Sequence, residues 1–451
     1  MVELSGIPDN RRLRQQVDHL LSETEIKTDP GAMTRLALLM TPLLILASAC
    51  GPQEAEEDPR PFMTGAEVLA DENFESLAGQ RVGLITNHTA TVGEAHIADL
   101  LHETDRVDLV ALYGPEHGIR GEAPAGEHIE DEVDEQTGLP VYSLYGETRR
   151  PTPEMLEGVD VLVFDIQDVG PRFYTYISTM GMAMEAAAEH DIRFVVLDRP
   201  NPLGGISVEG FIREEEFDSF VGYYPIAITH GLTIGELATM AQAEGMLEGA
   251  EDLDLSVVEL RNWERTQNWN DLGREWNPPS PNIPNVETAM IYPGTCFFEG
   301  TTASEGRGTP EPFLFVGAPW ADSELIAQTL NDYDLPGIRF EAAMHIPETI
   351  PLVASDPKHE GEEVHGVRHV ITDERTLRPV ETGIYVLHTF YHHAPEEERE
   401  EFLNERWLNL LSGTDRLYNM LVDGASPDEI VNSWTGELAS YMQTRQQYLR
   451  Y

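Results

Sequence analysis

Apolar and polar positions occur in alternating blocks between residues 81 and 201, and these blocks predict a parallel sheet flanked by helices. Four short runs are apolar almost throughout, which is typical of strands buried on both faces of a sheet. They cover residues 81–87, 108–114, 160–166 and 193–198. Amphipathic stretches at 91–103 and 175–190 predict helices between the strands. This strand–helix alternation predicts a doubly wound, Rossmann-like α/β domain.

The pattern becomes mixed after a predicted helix that begins at Thr233. Residues 277–284 are rich in proline, which removes backbone donors and favours extended structure, so we predict an extended loop there. The later elements are predicted as a strand at 364–372 and helices at 396–411 and 427–445. We therefore predict a Rossmann-like catalytic domain over residues 63–252 and a smaller C-terminal α/β domain over residues 253–451, which completes a cleft.

The segment before residue 63 has the features of an export signal followed by a tether. A basic start at Met33 precedes an apolar run, small residues and Cys50, a pattern that resembles the lipobox of bacterial lipoproteins. The apolar run is too short to span a bilayer. We predict that the start codon was called too early, so that residues 1–49 comprise extra N-terminal residues followed by this signal. Residues 50–62 are predicted to form a polar tether. With a lipid on Cys50, the protein is expected to be exported and anchored, in the periplasm or on the outer face of a membrane.

Charge and cysteine content limit the partners that the chain can have. It carries 80 acidic and 29 basic residues, for a formal net charge of -51. Such a field repels nucleic acid and anionic membranes, so we predict no nucleic-acid partner. Lysine occurs only at positions 27 and 358, and this acidic, arginine-based composition indicates adaptation to high salt. If Cys50 is acylated, Cys296 has no partner and is expected to be a buried, apolar side chain.

Polar side chains follow the predicted strands at the edge where sheets of this type bind their ligands. They are Asn87 and His88 after the first strand, Glu116 and His117 after the second, and Asp165 and Asp168 after the third. Because the carboxyl ends of parallel strands lie on one edge, we expect these residues to converge on one site. No Gly-x-Gly-x-x-Gly follows the first strand and no P-loop sequence occurs, so we predict no nucleotide cofactor.

Glu116 lies in a Gly-Pro-Glu-His-Gly sequence at 114–118 and is the first candidate for catalysis. Glycine and proline fix a turn at the strand end, and partial burial there raises the pKa of a carboxyl group toward that of a general acid. The structural alternative is a glutamate that caps the following turn. Asp165 and Asp168 either bind sugar hydroxyls and orient water or cap their own loop, and their spacing does not fit a metal site.

Three further polar residues have both a binding and a structural interpretation. Arg172 lies among aromatic residues that include Tyr174, so it either pairs with a ligand carboxylate or with a nearby aspartate inside an aromatic core. Glu185 either faces the cleft as a second carboxylate or is exposed on its helix. His230 precedes a predicted helix, where it either binds a ligand at the helix start or occupies a turn.

Absent motifs narrow the reaction class. The chain has no Gly-x-Ser-x-Gly elbow and no His-Glu-x-x-His sequence, which disfavours the common esterases and zinc proteases. Carboxylates, amides and aromatic residues without a nucleophilic serine or cysteine favour glycoside hydrolysis. In that reaction one carboxyl group protonates the leaving oxygen and a second attacks or activates water. We predict neither a metal nor a cofactor.

Eight sequence blocks, in order from about Phe62 to the C-terminus, together resemble the exo-β-N-acetylmuramidase family. The blocks are GLITNH at 83–88, YGPEHGIRG at 113–121, LPVYSLYG at 139–146, FDIQDVG at 164–170, LDRPNPLGG at 197–205, HGLTIGE at 230–236, YPGTCFFEG at 292–300 and SEGRGT at 304–309. The resemblance implies a Rossmann-like N-terminal domain, a smaller C-terminal domain and a cleft between them. It also implies release of N-acetylmuramic acid from the non-reducing end of peptidoglycan-derived saccharides, without a metal or nucleotide.

The resemblance also implies roles for individual residues. The family's glutamate in its Gly-Pro-Glu-His-Gly turn falls on Glu116, as general acid/base, and Glu185 or Asp168 is expected to be its catalytic partner. The lactyl carboxylate of the substrate requires a cation, for which Arg172 and Arg307 are the candidates. The remaining predicted substrate-binding residues are Asn87, His88, His117, Asp165, Tyr174, His230 and Glu305.

Two other functions stay open on the sequence. One is a non-catalytic lipoprotein that binds cell-wall saccharides, and the other is an esterase or amidase that acts on the same material. The predicted partners are peptidoglycan-derived saccharides, with the membrane contacted through the lipid anchor alone. Retention or inversion at the anomeric carbon depends on the gap between the two carboxyl groups.

Overall fold

A mostly parallel sheet of seven strands organises the first part of the protein. The computed structural model describes residues 61–116, 118–120, 132–146 and 148–451. The predicted export signal, the lipidation site Cys50 and the candidate binding residue His117 lie outside the described residues.

The order of the strands is that of a Rossmann-like fold. The sheet contains β1 (Arg81–Thr86), β4 (Asp108–Gly114), β5 (Glu132–Val133), β6 (Pro140–Ser143), β7 (Val161–Asp165), β8 (Arg193–Leu197) and β9 (Leu255–Val258). The strands are ordered β5-β6-β4-β1-β7-β8-β9, and all neighbours are parallel except β5 and β6. The six parallel strands thus follow the order 3-2-1-4-5-6, which confirms the predicted doubly wound fold.

The central strands are buried along nearly their whole length, which explains their continuous apolar sequences. β7 is buried at every position, and β1 at every position after Arg81. Gly83 in β1 packs so closely on the Tyr113 ring that a Cβ would lie 2.9 Å from it. The strand order reverses between β1 and β7, where Thr86 pairs with Asp165. Ligand crevices form at such a switch point.

Four helices pack on this sheet. They are α1 (Gly65–Asp71), α2 (Ile97–Glu103), α3 (Tyr176–Glu189) and α4 (Ile234–Ala243). Thr233 begins α4 as predicted: its hydroxyl accepts from the Glu236 N–H at 3.2 Å, and the Glu236 carboxylate accepts from the Thr233 N–H at 3.0 Å. The helix predicted at 91–103 is only half formed, because its first residues pair as the hairpin β2 (Thr91–Val92) and β3 (Ala95–His96).

The C-terminal part contains a second, antiparallel sheet of three strands in the order β10-β12-β11. These are β10 (Phe315–Ala318), β11 (Ile338–His345) and β12 (Val364–Ile371). The helices are α5 (Val286–Thr295), α6 (Ser323–Asp332), α7 (Pro379–His393), α8 (Glu396–Arg399), α9 (Glu405–Ser412), α10 (Arg416–Val422), α11 (Pro427–Ser433) and α12 (Thr435–Arg445). The predicted helix at 396–411 is interrupted because Asn404 caps a new helix, accepting from the Trp407 N–H at 3.1 Å. The predicted helix at 427–445 is interrupted at Trp434.

The larger hydrophobic core contains residues of both parts, and the described residues between 61 and 451 belong to one compact unit. β9 belongs to the first sheet although it lies just after the predicted boundary between residues 252 and 253. The division into two domains stays a prediction. Cys296 is buried, as expected. Within the described residues, each helix is too short or too polar to cross a bilayer.

Candidate active site

A pocket of about 430 Å³ opens where three strands of the main sheet end. Glu116 follows the end of β4, Tyr145 follows β6, and residues 173–176 lead from β7 into α3. The C-terminal part contributes further lining residues, among them Glu299 and Arg307. This volume lies in the usual range for small-ligand pockets. The strand-end edge predicted from the sequence therefore does carry a site.

Glu116 is held on a tight turn directly after β4. The turn is closed by the Gly118 N–H, which donates to the Pro115 carbonyl at 3.0 Å. Gly118 has a φ of 70°, in the left-handed region that favours glycine, and a Cβ on Gly114 would lie 3.2 Å from the Gly118 Cα. The carboxyl group of Glu116 is therefore presented to the pocket from a fixed backbone, and it is half-buried.

Tyr145 lies beside Glu116 on the pocket wall, after β6. Burial raises the pKa of Tyr145 to about 12, and the nearby Glu116 carboxylate adds to the effect. The Tyr145 phenol therefore stays neutral next to the Glu116 carboxyl group.

Aromatic side chains form much of the pocket wall. Tyr174 packs edge-on against Tyr176 and Tyr292, with ring centroids 5.0 and 5.9 Å apart, and Tyr292 packs on Phe313 at 4.8 Å. These edge-to-face contacts fix the orientation of the rings. Burial raises the pKa of the Tyr174, Tyr176 and Tyr292 hydroxyls, so the phenols are neutral. The predicted binding residue Tyr174 thus lies on the pocket.

On the side of the pocket formed by the C-terminal part, acidic and basic side chains form a chain of ion pairs. Arg307 donates to the Glu299 carboxylate at 2.6 Å and lies 3.4 Å from the Glu305 carboxylate. Glu305 is buried and pairs with Lys358 at 3.0 Å. Burial by itself lowers the pKa of Arg307, but the two carboxylates outweigh it and the net shift is upward. Arg307 and Glu299 line the pocket, whereas Glu305 holds Arg307 from behind.

The proline-rich stretch at 277–284 forms part of the pocket wall without regular secondary structure, as predicted. It contributes the lining residues Ser280, Asn282 and Ile283. His88 Nε2 lies 2.7 Å from the Pro278 carbonyl, and the Tyr176 hydroxyl donates to the Pro279 carbonyl at 2.7 Å. His88 therefore holds this loop and does not itself line the pocket.

Asn87 and Asp165 belong to a buried layer behind the pocket. The two Asp165 oxygens accept from Arg199 at 2.6 and 2.9 Å, and both side chains are buried. The Asn87 Oδ1 accepts from the Thr89 N–H and hydroxyl at 3.0 and 2.6 Å, and the Asn87 side chain is fully buried. Asn87 and Asp165 thus have structural partners instead of a ligand.

Asp168 and His230 complete the buried layer. The Asp168 Oδ2 accepts from the Gly170 N–H at 2.8 Å and lies 3.7 Å from His230 Nε2. His230 Nδ1 accepts from the Leu232 N–H at 3.1 Å, so Nε2 carries the proton that faces Asp168. Both side chains are buried and neither lines the pocket. The loop-capping interpretation of Asp168 and the turn interpretation of His230 fit this geometry.

Arg172 is not placed to bind a substrate carboxylate. Its side chain is fully buried, and the guanidinium donates to the carbonyls of Phe211 (2.8 Å), Ile226 (2.6 Å) and Leu411 (3.0 Å). Burial lowers the pKa of Arg172 to about 9. The sequence indicated a cation among aromatic residues correctly, but its partners are main-chain carbonyls that join distant loops.

Glu185 is also not in the pocket. It lies on α3, where its carboxylate accepts from the Glu248 N–H at 2.9 Å. Within the described residues, the carboxyl groups that line the pocket are those of Glu116 and Glu299. The geometry therefore replaces Glu185 and Asp168 with Glu299 as the second carboxyl group at the site.

Most residues that line the pocket were not predicted from the sequence, among them Tyr145, Arg149 and Glu299. Tyr145 and Glu299 lie in two of the sequence blocks that carry the family resemblance, and that signal could have found them. Arg149 carries no motif, and its guanidinium stacks on the Phe220 ring at 4.3 Å from the centroid. Across the described ranges, no group of three or more His, Cys, Asp or Glu side chains could hold a metal ion.

Two carboxyl groups in one aromatic pocket are an arrangement typical of glycoside hydrolases. The chain belongs to the exo-β-N-acetylmuramidase NamZ family, whose N-terminal model matches residues 82–287 and whose C-terminal model matches residues 290–451. It is 44% identical over 426 residues to the peptidoglycan β-N-acetylmuramidase NamZ of Bacillus subtilis strain 168, covering 94% of this chain and 100% of that protein.

Solved structures support the same assignment. Two crystal structures of DUF1343 family proteins from Bacteroides fragilis superpose with TM-scores of 0.78 and 0.70, at 38% and 34% identity. Each match covers 86% of this chain and 99% of the other. The predicted family, the α/β fold and the glycosidase class are thereby confirmed.

Proposed function

We propose that this pocket is the active site of the exo-β-N-acetylmuramidase activity and that Glu116 protonates the departing glycosidic oxygen. The substrate is the N-acetylmuramic acid unit at the non-reducing end of peptidoglycan-derived saccharides. One observation carries the proposal: Glu116, on its fixed turn, lines the same sugar-sized pocket as a second carboxyl group, that of Glu299. A proton donor and a second carboxyl group are the two parts that glycoside hydrolysis requires.

Glu299 is the partner of Glu116 in this proposal. Its carboxylate is fixed by the 2.6 Å contact with Arg307, which is itself held by Glu305. A fixed carboxylate serves either as the nucleophile or as the base that activates water. After the leaving group departs, Glu116 is the base that can take a proton from an incoming water in a two-step reaction.

The shape of the site agrees with exo-action. A pocket with buried aromatic walls, such as those of Tyr174, Tyr292 and Phe313, accepts the end of a saccharide more readily than its middle. Aromatic faces also provide apolar area for a sugar ring. The alternative of a non-catalytic saccharide-binding lipoprotein has no support from the relatives, since the curated relative is named as an enzyme.

The test of the proposal is Glu116→Gln, assayed on a chromogenic N-acetylmuraminide with product analysis. The substitution keeps the size of the side chain but removes the transferable proton, so kcat should fall by about 10²- to 10⁴-fold. Glu185→Gln is the matched control, because Glu185 is a carboxylate outside the pocket, and its kcat should stay near that of the unmodified protein. Full activity of Glu116→Gln, with release of the sugar, would remove Glu116 from the mechanism.

We also propose that the protein is exported and anchored through a lipid on Cys50, since the sequence before residue 63 has a lipoprotein-like signal. The substrate of the proposed reaction lies outside the cytoplasmic membrane, which supports export. Mature protein should partition into a detergent phase, and Cys50→Ala should stay in the aqueous phase. Equal partitioning of the two proteins would contradict the anchor.

Adaptation to high salt is a further proposal, supported by the formal net charge of -51. Salt screens the repulsion between like charges, so the melting temperature should rise from low to molar salt. A melting temperature that does not rise would rule out this adaptation.

A further inference from the structure

The pocket has a second arginine besides Arg307. Arg149 lines the pocket, is exposed to solvent, and stacks its guanidinium on the ring of Phe220, which is also a lining residue. Stacking on an aromatic face restricts the guanidinium plane and leaves its edge of N–H donors open to a ligand. Arg149 is thus arranged like a binding group and not like an ordinary surface arginine.

The charges of the two pocket arginines are balanced very differently. Arg307 lies between the carboxylates of Glu299 and Glu305, so its charge is matched inside the protein. Across the part of the chain that the structure describes, Arg149 has no carboxylate within 4.0 Å, and its contact is the Phe220 ring. Arg149 is therefore the cation of the pocket that is available to an anion.

The anion that a member of this family meets is carried by the substrate itself. N-acetylmuramic acid differs from N-acetylglucosamine by a lactyl ether that ends in a carboxylate. The protein has a formal net charge of -51, and two carboxyl groups line the pocket, so an anionic sugar is repelled unless a local cation offsets them. Guanidinium groups bind carboxylates through two parallel hydrogen bonds, which gives both affinity and direction.

We propose that Arg149, held by Phe220, binds the lactyl carboxylate and makes the pocket selective for N-acetylmuramic acid. This inference rests on the proposed function, because it assumes that the terminal sugar occupies this pocket. It replaces Arg172, whose donors are used by carbonyls, and Arg307, whose charge is matched by two glutamates. Arg149 acts on specificity and takes no part in proton transfer.

The test compares Arg149→Met with the unmodified protein on two chromogenic substrates: the N-acetylmuraminide and its lactyl amide, which has the same shape without the charge. Arg149→Met removes charge-assisted hydrogen bonds that only the acid substrate can form. For the acid, kcat/KM should therefore fall about 10- to 100-fold. The value for the amide should change by less than about threefold. The unmodified protein should prefer the acid, and Arg149→Met should lose that preference.

Arg150→Met is the matched control. Arg150 is the exposed neighbour of Arg149, pairs with Glu189 at 2.7 Å and does not line the pocket, so its substitution should leave both substrates unaffected. Equal preference for acid and amide before and after Arg149→Met, or equal losses on both substrates, overturns the role of Arg149. In those cases a strong effect of Glu116→Gln still upholds the proposed active site. If Glu116→Gln is fully active, the proposed active site and this inference both fall.

Discussion

The pocket wall and the buried layer behind it are built from polar residues that follow strands of the same sheet, yet the two regions use them differently. In the buried layer, Asp165 pairs with Arg199 and Asp168 caps its own loop. On the wall, Glu116 and Tyr145 both face the cavity, with the Tyr145 hydroxyl near the Glu116 carboxyl group. Position after a strand therefore locates a residue near the site, but burial decides whether it meets a ligand.

The distance along the chain from the strand end explains part of this difference. Asn87 and Asp198 come directly after β1 and β8, and Asp165 is the last residue of β7. All three are fully buried, and Asp198 accepts from the Gly235 N–H at 2.8 Å. Glu116 lies one residue further from its strand, on a turn that lifts it out of this layer. Distance from the strand end is only part of the explanation, since Asp168 lies three residues beyond β7 and is also buried.

The largest loss of activity is expected from a substitution in the pocket wall, Glu299→Gln. It tests whether residues of the wall, unlike those of the buried layer, meet the substrate. Loss of the second carboxyl group should lower kcat by about 10²- to 10⁴-fold while the free energy of unfolding changes little. Glu305→Gln is the control, because Glu305 lies behind the pocket, where it pairs with Arg307 and Lys358, and its loss should cost much less activity. Steady-state kinetics and denaturant unfolding on both variants measure this. Full activity of Glu299→Gln would show that Glu299 is not the catalytic partner of Glu116.

The next effect is expected in the buried layer, with Asp165→Asn. This change leaves the buried Arg199 guanidinium without its anion, so the free energy of unfolding should fall by about 3–5 kcal/mol. Asp160→Asn is the control, because Asp160 pairs with Arg81 at 2.7 Å in an exposed position and should matter far less. Urea denaturation compares them. Equal stability of Asp165→Asn and the unmodified protein would show that the buried pair does not hold the layer together.

A smaller effect concerns pH and another buried carboxyl group, that of Glu209. Its oxygens accept from Ser207 at 2.6 Å and from the N–H groups of Val380 and Glu381 at 3.1 Å, at the start of α7. Burial raises the pKa of Glu209 from 4.5 to about 7, although these donors act in the opposite direction. A pKa above the unfolded value means that the folded state binds the proton more tightly. Stability from this group is then present at low pH and is lost as the pH rises from about 4.5 to about 7.

Glu209→Gln removes that titration. The difference in unfolding free energy between the unmodified protein and the variant should change by up to about 3 kcal/mol across this pH range, and it should be constant above it. Denaturant unfolding at a series of pH values measures the difference. A difference that does not vary with pH would show that Glu209 is not protonated in the folded protein near neutral pH.

The sequence predicted the sheet better than the site. Continuous apolar runs identified β1, β4, β7 and β8, because strands buried on both faces need them. The strand β6 and the hairpin at 91–96 were missed, since short or half-buried strands lack that signal. Glu116 could be predicted because glycine and proline fix its turn locally. Glu299 was indicated only by its place in a block that carries the family resemblance, and Arg149 could not be predicted, because tertiary packing brings it to the pocket.

Arg172 shows that a sequence pattern does not distinguish a ligand-binding arginine from a structural one. A cation among aromatic residues can serve a ligand or the fold, and only its three carbonyl partners decide between them. Those partners lie 39, 54 and 239 residues away along the chain. No local pattern reports contacts of that kind.

The most direct test of the account is a crystal structure of Glu116→Gln with a bound disaccharide that has N-acetylmuramic acid at its non-reducing end. The account predicts that this terminal ring occupies the aromatic pocket, with the glycosidic oxygen about 3 Å from the side chain at position 116. A disaccharide bound elsewhere, or a glycosidic oxygen out of reach of position 116, would contradict it.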